Sequence, residues 1–174
     1  WHGGAPRLDS SSAAGRRYMQ RALGGARRAR AEVEVPVGAV IVLDGGVIGR
    51  GNKQVRARNS PLAHAELLAL TQATRLRGEP RLPGATVYTT LEPCFMCAGA
   101  LSHARVGRVV WAVRDPKFGA CVSLAEVLSD PRLNHCAQVH EGVLAEPARR
   151  LLKSFFAEKR AQAKARAKSG AEDS

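Results

Sequence analysis

Apolar positions along the chain change period several times, and each change marks an element. Over residues 17–31, Tyr18, Ala22, Leu23, Ala26 and Ala29 recur at helical spacing, which predicts an amphipathic helix. Gly24-Gly25 is its weak point, at about 1 kcal/mol per glycine relative to alanine. The β-branched run Val35–Leu43 reads as a strand, Asp44-Gly45-Gly46 as a hairpin turn, and Val47–Arg50 as the start of the return strand. A polar loop over 53–60 leads into a helix expected over 61–77, with Ser60 as its cap and Pro61 at its first position. A turn-rich stretch over 78–84 precedes a strand over 85–90, and Glu92-Pro93 opens a helix over 93–103. A strand over 106–113, a short helix over 123–128 and a short strand over 137–142 follow. The last helix, expected over 146–167, gathers Leu151, Leu152, Phe155 and Phe156 on one face of an otherwise basic surface. No internal repeat is visible.

Strands alternating with helices predict an α/β fold, a three-layer α/β/α sandwich around one sheet. Five strands are expected; the first two form a hairpin and the later ones connect through helices, so the sheet is mixed. At 174 residues the chain is long enough for one domain with a full core. That domain is expected over 17–168, after a disordered leader over 1–16 and before a flexible tail over 169–174. The chain begins at Trp1, so its leader reads as incomplete, trimmed or non-native; an Arg- and Ser-containing organellar transit remnant is the alternative. No apolar run approaches 18 residues, so no membrane span is expected.

Charge separates the ends from the middle. Residues 1–30 hold seven Arg against Asp9, and residues 149–174 hold eight Lys/Arg against Glu158, Glu172 and Asp173. The intervening segment is nearly neutral, so most of the net charge of +12 belongs to two helical ends. This distribution suits contact with a nucleic-acid backbone, although solvated helix faces carry the same composition. Four cysteines, two of them spaced as CxxC, leave only Cys121 and Cys136. That is a poor disulfide framework and fits a reducing cytoplasm.

The chemistry concentrates in His64-Ala65-Glu66 and Pro93-Cys94-Phe95-Met96-Cys97. One imidazole and two thiols provide three ligands for one Zn²⁺ and leave a fourth tetrahedral position open to water, the catalytic arrangement. Glu66, two residues from His64, is placed to act as general acid and base. The order H-x-E…P-C-x-x-C is the pattern of zinc nucleobase deaminases. Both motifs sit at expected helix starts, whose positive ends favour the thiolate form. A structural zinc would need a fourth ligand from Cys121, Cys136 or a second histidine, none of which has such a context. His103 suits a helix C-terminus, Met96 reads as core, and neither His135 nor His140 is read as a ligand.

These residues resemble one family closely, the bacterial tRNA-specific adenosine deaminases. The matching segments are Glu34-Val35-Pro36-Val37-Gly38-Ala39-Val40, Pro61-Leu62-Ala63-His64-Ala65-Glu66 and Thr90–Ala100, followed by Val106–Val110, Arg114-Asp115, Asn134-His135, Glu141–Ala145 and Ser154-Phe155-Phe156. They run in family order over about residues 17–163. The resemblance implies a cytidine-deaminase-like fold and a homodimer that converts the wobble adenosine of a tRNA anticodon to inosine, using a zinc-activated water and Glu66.

It also implies that Val37, Leu91 and Pro93 line an apolar slot for the flipped base, with backbone N–H groups of Ala65 and Cys94 assisting. Asp115 is expected at a ribose hydroxyl, or else as a turn-forming Asp-Pro; Asn134 and Phe156 fall in family segments expected to face RNA. Lys159 and Arg160 are candidate phosphate contacts, with a solvated helix face as the alternative. Two positions depart from the family. Lys53 stands where an asparagine usually contacts the nucleoside, with Asn52 one residue earlier, so either residue is a candidate for that contact; Ser60 replaces an aspartate. Deamination of a free base such as guanine or cytosine, and a non-catalytic RNA-binding zinc protein, are the competing functions. The basic ends weigh against the first and Glu66 against the second.

Overall fold

A computed structural model describes residues 12–172. The elements are α1 (Ala13–Ala31), β1 (Gly38–Leu43), β2 (Gly46–Asn52), α2 (Ala65–Arg77), β3 (Thr86–Leu91), α3 (Phe95–His103), β4 (Arg108–Val113), a short 3₁₀ turn (Val127–Ser129), β5 (Gln138–Glu141) and α4 (Ala145–Glu172). The five strands form one mixed sheet in the order β2-β1-β3-β4-β5. β1 runs antiparallel to both β2 and β3, while β3, β4 and β5 are parallel. The sequence pattern anticipates this three-layer architecture.

The strands present alternate side chains to two cores. Val37, Ile41, Val87, Val109 and Trp111 pack beneath α2 and α3. Val40, Val42, Tyr88 and Val110 pack beneath α1 and α4, against Met19, Leu23 and Ala148. Among the described residues, no helix is long and apolar enough to cross a membrane.

Several boundaries differ from the sequence expectation. The Ser12 hydroxyl caps α1 by accepting from the Gly15 N–H, so residues 13–16, expected in the leader, form its first turn. Residues 1–11 and 173–174, assigned there to leader and tail, lie outside the described residues; the tail positions 169–172 continue α4. β1 begins at Gly38 instead of Val35, because Val37 turns back onto the Val35 carbonyl and Pro36 has no N–H for a ladder. Gly25, read as a weak point, sits where α1 packs closely on the sheet: a Cβ there would stand 3.2 Å from the Gly51 oxygen and 3.3 Å from the Gly38 Cα, so these neighbours would have to give by a few tenths of an ångström. The helix expected over 123–128 shrinks to the 3₁₀ turn, since the N–H groups of Cys121, Val122 and Ser123 donate to the buried Glu92 carboxylate.

The most consequential difference lies before α2. Ser60-Pro61 does not start the helix. The Ser60 hydroxyl accepts from the Leu62 N–H, Ala63 bonds back to the Ser60 carbonyl, and the chain makes turns until His64. α2 then begins at Ala65 with His64 as its N-cap.

Candidate zinc site and catalytic cavity

Two helix N-termini meet at one place. His64 is the extended N-cap of α2 (φ −79°, ψ 149°), and Cys94 is the extended N-cap of α3 (φ −74°, ψ 176°). Glu66 and Cys97 lie in the first turns of these helices. The junction forms because β1 and β3 pair directly, so the loop after β2 and the loop after β3 end on the same side of the sheet. α2 approaches β2 closely, since a Cβ on Gly51 would lie 2.1 Å from the Ala65 oxygen.

His64 Nδ1 lies 3.7 Å from Cys94 Sγ and 3.6 Å from Cys97 Sγ, and the three ligand atoms all fall within 4.8 Å of one another. This donor set fits a zinc ion: one imidazole nitrogen and two thiols converge, with a cavity on the remaining side. Among the described residues no fourth side chain joins the group. Cys121 is buried with its thiol against the Pro93 carbonyl, and the exposed Cys136 donates to the Asp130 carbonyl, so neither joins the ligand set and the closed, structural arrangement has no support. The Cys94 thiol is held down to about 3, first by the hydrogen bond from Cys97 and then by His64, against the opposing effect of burial. Cys97 is pushed upward by donating to Cys94, by burial and by the Glu66 carboxylate. Thiolate character at the more exposed ligand suits metal capture.

Glu66 is only 4% exposed. Its Oε1 accepts from the Thr89 hydroxyl at 2.9 Å, and its Oε2 lies 3.4 Å from Cys97 Sγ. The Glu66 carboxylate is therefore clamped from β3 on one side and faces the candidate metal ligands on the other.

The cavity above this group has a volume of about 240 Å³. Val37, Ala65 and Leu91 form its apolar wall, and Lys53, Asp115 and Phe118 its outer edge, with His64, Glu66, Glu92 and Cys94 at the polar side. Lys53, not Asn52, lines the cavity, and strand parity explains why. Gly49 and Gly51 of β2 face α2, and Lys53 shares their parity; Asn52 faces α1, where its Cβ approaches Gly25. Pro93 is buried but absent from the wall; its carbonyl accepts from the Ala120 N–H. Asn134, Phe156 and Arg160 lie on the exterior, away from the cavity wall, with Phe156 and Arg160 on α4. His135 bonds the Val106 carbonyl at 2.7 Å, a structural contact.

Four residues with parts to play here escape a reading of the sequence. Glu92 reads as a helix opener, yet it collects the N–H groups of Asp115, Cys121, Val122 and Ser123 and the Ser123 hydroxyl. Burial alone would raise its carboxyl, but the bonds from Ser123, Val122 and Cys121 outweigh this and leave it below its ordinary value. Glu34 similarly accepts from the N–H groups of Arg56 and Ala57, tethering the loop that follows Lys53. Thr89 sits inside a strand and Phe118 in a loop, where no motif marks them. Glu34 and Glu92 carried one readable signal, an acidic residue within an otherwise apolar segment.

The cytidine and deoxycytidylate deaminase zinc-binding region matches residues 13–113, which contain the whole ligand set, Glu66 and the sheet core. The chain belongs to this deaminase family. Among curated relatives, the tRNA-specific adenosine deaminase of Agrobacterium fabrum (strain C58 / ATCC 33970) is 44% identical over 143 residues, covering 82% of this chain and 94% of that protein. The tRNA-specific adenosine deaminase of Bacillus subtilis (strain 168) is 43% identical over 148 residues, covering 85% and 92%. A solved structure from work on A-to-I editing by tRNA:A34 deaminases at the wobble position of transfer RNA superposes with a TM-score of 0.75 at 43% identity, covering 78% of this chain and 99% of that one. A guanine deaminase of Nitrosomonas europaea reaches a TM-score of 0.73 at 25% identity, covering 90% and 96%. A guanine deaminase of Bacillus subtilis is 38% identical but covers only 56% of this chain, with a TM-score of 0.54, so the deaminase frame is shared across nucleobase substrates.

Proposed function

We propose that this deaminase hydrolyses the wobble adenosine of a tRNA anticodon to inosine, releasing ammonia. The observation that carries the reading is the identity of 40–44% over more than four-fifths of the chain to tRNA-specific adenosine deaminases; guanine deaminases of the same fold match either at 25% over 90% of the chain or at 38% over only 56% of it. His64, Cys94 and Cys97 would hold the zinc, which when bound lowers the pKa of a coordinated water and supplies the nucleophile near neutral pH. Val37 and Leu91 offer the target base an apolar slot. Glu66 takes a proton from water, delivers it to the purine ring nitrogen, and assists departure of the amino group from C6 as ammonia. Thr89 keeps the Glu66 carboxylate turned toward this work. Asp115 at the outer edge is the candidate for a ribose hydroxyl, and Lys53 for a contact to the nucleotide.

The two basic ends meet on one face of the sheet, where Arg30 of α1 bonds Glu158 of α4 at 3.1 Å. Together they supply a positive surface for the RNA backbone, with Arg160 on it. Exposed Leu62, just before α2, and Phe95, at the start of α3, support a homodimer that covers them. The free cysteines fit a cytoplasmic setting.

The test is inosine formation on an anticodon stem-loop with adenosine at the wobble position, run beside free adenosine, guanine and cytosine. Inosine at that position is the expected result; activity on free guanine alone would replace the reading with base salvage. Glu66→Ala should abolish turnover with zinc content unchanged, and retained turnover would remove Glu66 from the mechanism.

A further inference from the structure

Most exposed large apolar side chains among the described residues lie away from the chemistry, but Phe118 does not. It is 66% exposed and lines the catalytic cavity, which none of Val33, Leu62, Leu76, Phe95, Leu124, Leu133 and Phe156 does. A single exposed apolar ring is ordinary on a protein surface; what distinguishes Phe118 is that its ring lines the catalytic cavity.

The loop that carries it is built to hold still. Asp115 Oδ1 accepts from the N–H groups of Lys117 and Phe118, at 3.1 and 3.2 Å. Gly119 donates to the Asp115 carbonyl at 2.8 Å and bridges to Cys94, so the residue after Phe118 is tied directly to a metal ligand. Glu92 anchors both ends of the loop through Asp115 and Cys121. No side chain fits at Gly119, where a Cβ would stand 2.4 Å from the Glu92 carboxylate. These bonds hold the backbone that carries the ring at the cavity, which limits the ordering of the loop that a ligand would have to impose.

The cavity, about 240 Å³, is suited to one base drawn out of its stack. When a polynucleotide enters, the neighbours of that base stay at the mouth, where Phe118 and Lys53 stand. A flat apolar ring with a cation nearby matches a nucleobase attached to a phosphodiester. We propose that Phe118 is a stacking platform for the nucleobase adjoining the target, a subsite through which the enzyme favours a polynucleotide over a free nucleoside. The proposal rests on the tRNA reading above.

The test uses the zinc-loaded enzyme and an anticodon stem-loop carrying 2-aminopurine beside the target adenosine, on the 5′ or the 3′ side. Wild type and Phe118→Trp should quench the fluorophore on binding on one side, and Phe118→Ala and Phe118→Leu should not. In turnover, Phe118→Ala should raise KM for the stem-loop by about tenfold with kcat nearly unchanged. An abasic nucleotide at the quenched position should impose the same loss on wild type and no further loss on Phe118→Ala. Turnover by wild type without quenching on either side, or additive losses in the abasic cycle, would overturn the stacking subsite and leave the tRNA reading standing. A wild-type enzyme that ignores the stem-loop but deaminates free guanine would overturn both. A KM change that follows dissociation of a dimer in sedimentation, again without quenching, would assign Phe118 to the contact between copies and overturn the proposal.

Discussion

The Thr89 hydroxyl ties Glu66, the proposed general acid/base, to the sheet, and the bond is buried. Its loss would leave Glu66 free to rotate without disturbing the ligand set. Thr89→Val, nearly isosteric, should lower kcat about tenfold, for about 1.4 kcal/mol, with KM little changed. Thr89→Ser should restore kcat, and a Thr89→Val enzyme with wild-type kcat would reduce Thr89 to packing. The sequence shows Glu66 through its spacing to His64, a local signal. It does not show Thr89, which comes from a strand 23 residues away and looks like any β-branched strand residue.

At the scale of elements, the site depends on how closely α2 approaches β2. Gly51→Ala would put a methyl against the Ala65 carbonyl, 2.1 Å away, at the first turn after His64. The helix start must shift, and the expected result is weaker zinc retention during dialysis against a chelator, with the sheet's circular dichroism preserved. Unchanged zinc retention would show that the junction tolerates the shift. The Glu92 loop gives a pH prediction. Its carboxyl lies below its ordinary value of 4.5, so the stability it contributes is fully present above that value and is lost as pH falls through the lower folded-state value. Denaturant midpoints measured from pH 6 down to about pH 3 should therefore fall for wild type more steeply than for Glu92→Gln, which has no carboxylate left to protonate. Parallel declines would count against this assignment. Element types were legible from periodicity, whereas the starts of α2 and β1 were not. Ser60-Pro61 is a sound helix opening, but local turn bonds around Leu62 and Ala63 compete for the same segment.

For the whole molecule, the two basic ends, far apart in sequence, become one surface because α1 and α4 pack on the same side of the sheet. α4 is anchored by Ala148 and Phe155, and its last turns carry Lys164, Arg166 and Lys168 without buried residues. Removing residues 163–174 should leave the fold and zinc content intact. It should reduce the slope of log kcat/KM against log salt on the stem-loop by up to about 2, for three lost phosphate contacts. An unchanged slope would make that end of the helix a solvated tail. Charge counting located the basic segments; their convergence on one face required the packing.

The sequence by itself determined the α/β class and the order of strands and helices, and it singled out His64, Cys94, Cys97 and Glu66 as the candidate set that the fold brings together, because periodicity and ligand spacing are local properties of a chain. The tertiary structure decided which of Asn52 and Lys53 faces the cavity, since strand parity counts only once the faces of β2 are assigned to α1 and α2. It also decided that Thr89 holds Glu66, that Glu92 organises the loop beneath Phe118, and that Asn134, Phe156 and Arg160 lie outside the cavity wall. Each of these depends on segments distant in sequence meeting across the sheet, and such contacts leave no periodic or spacing signature in the chain itself.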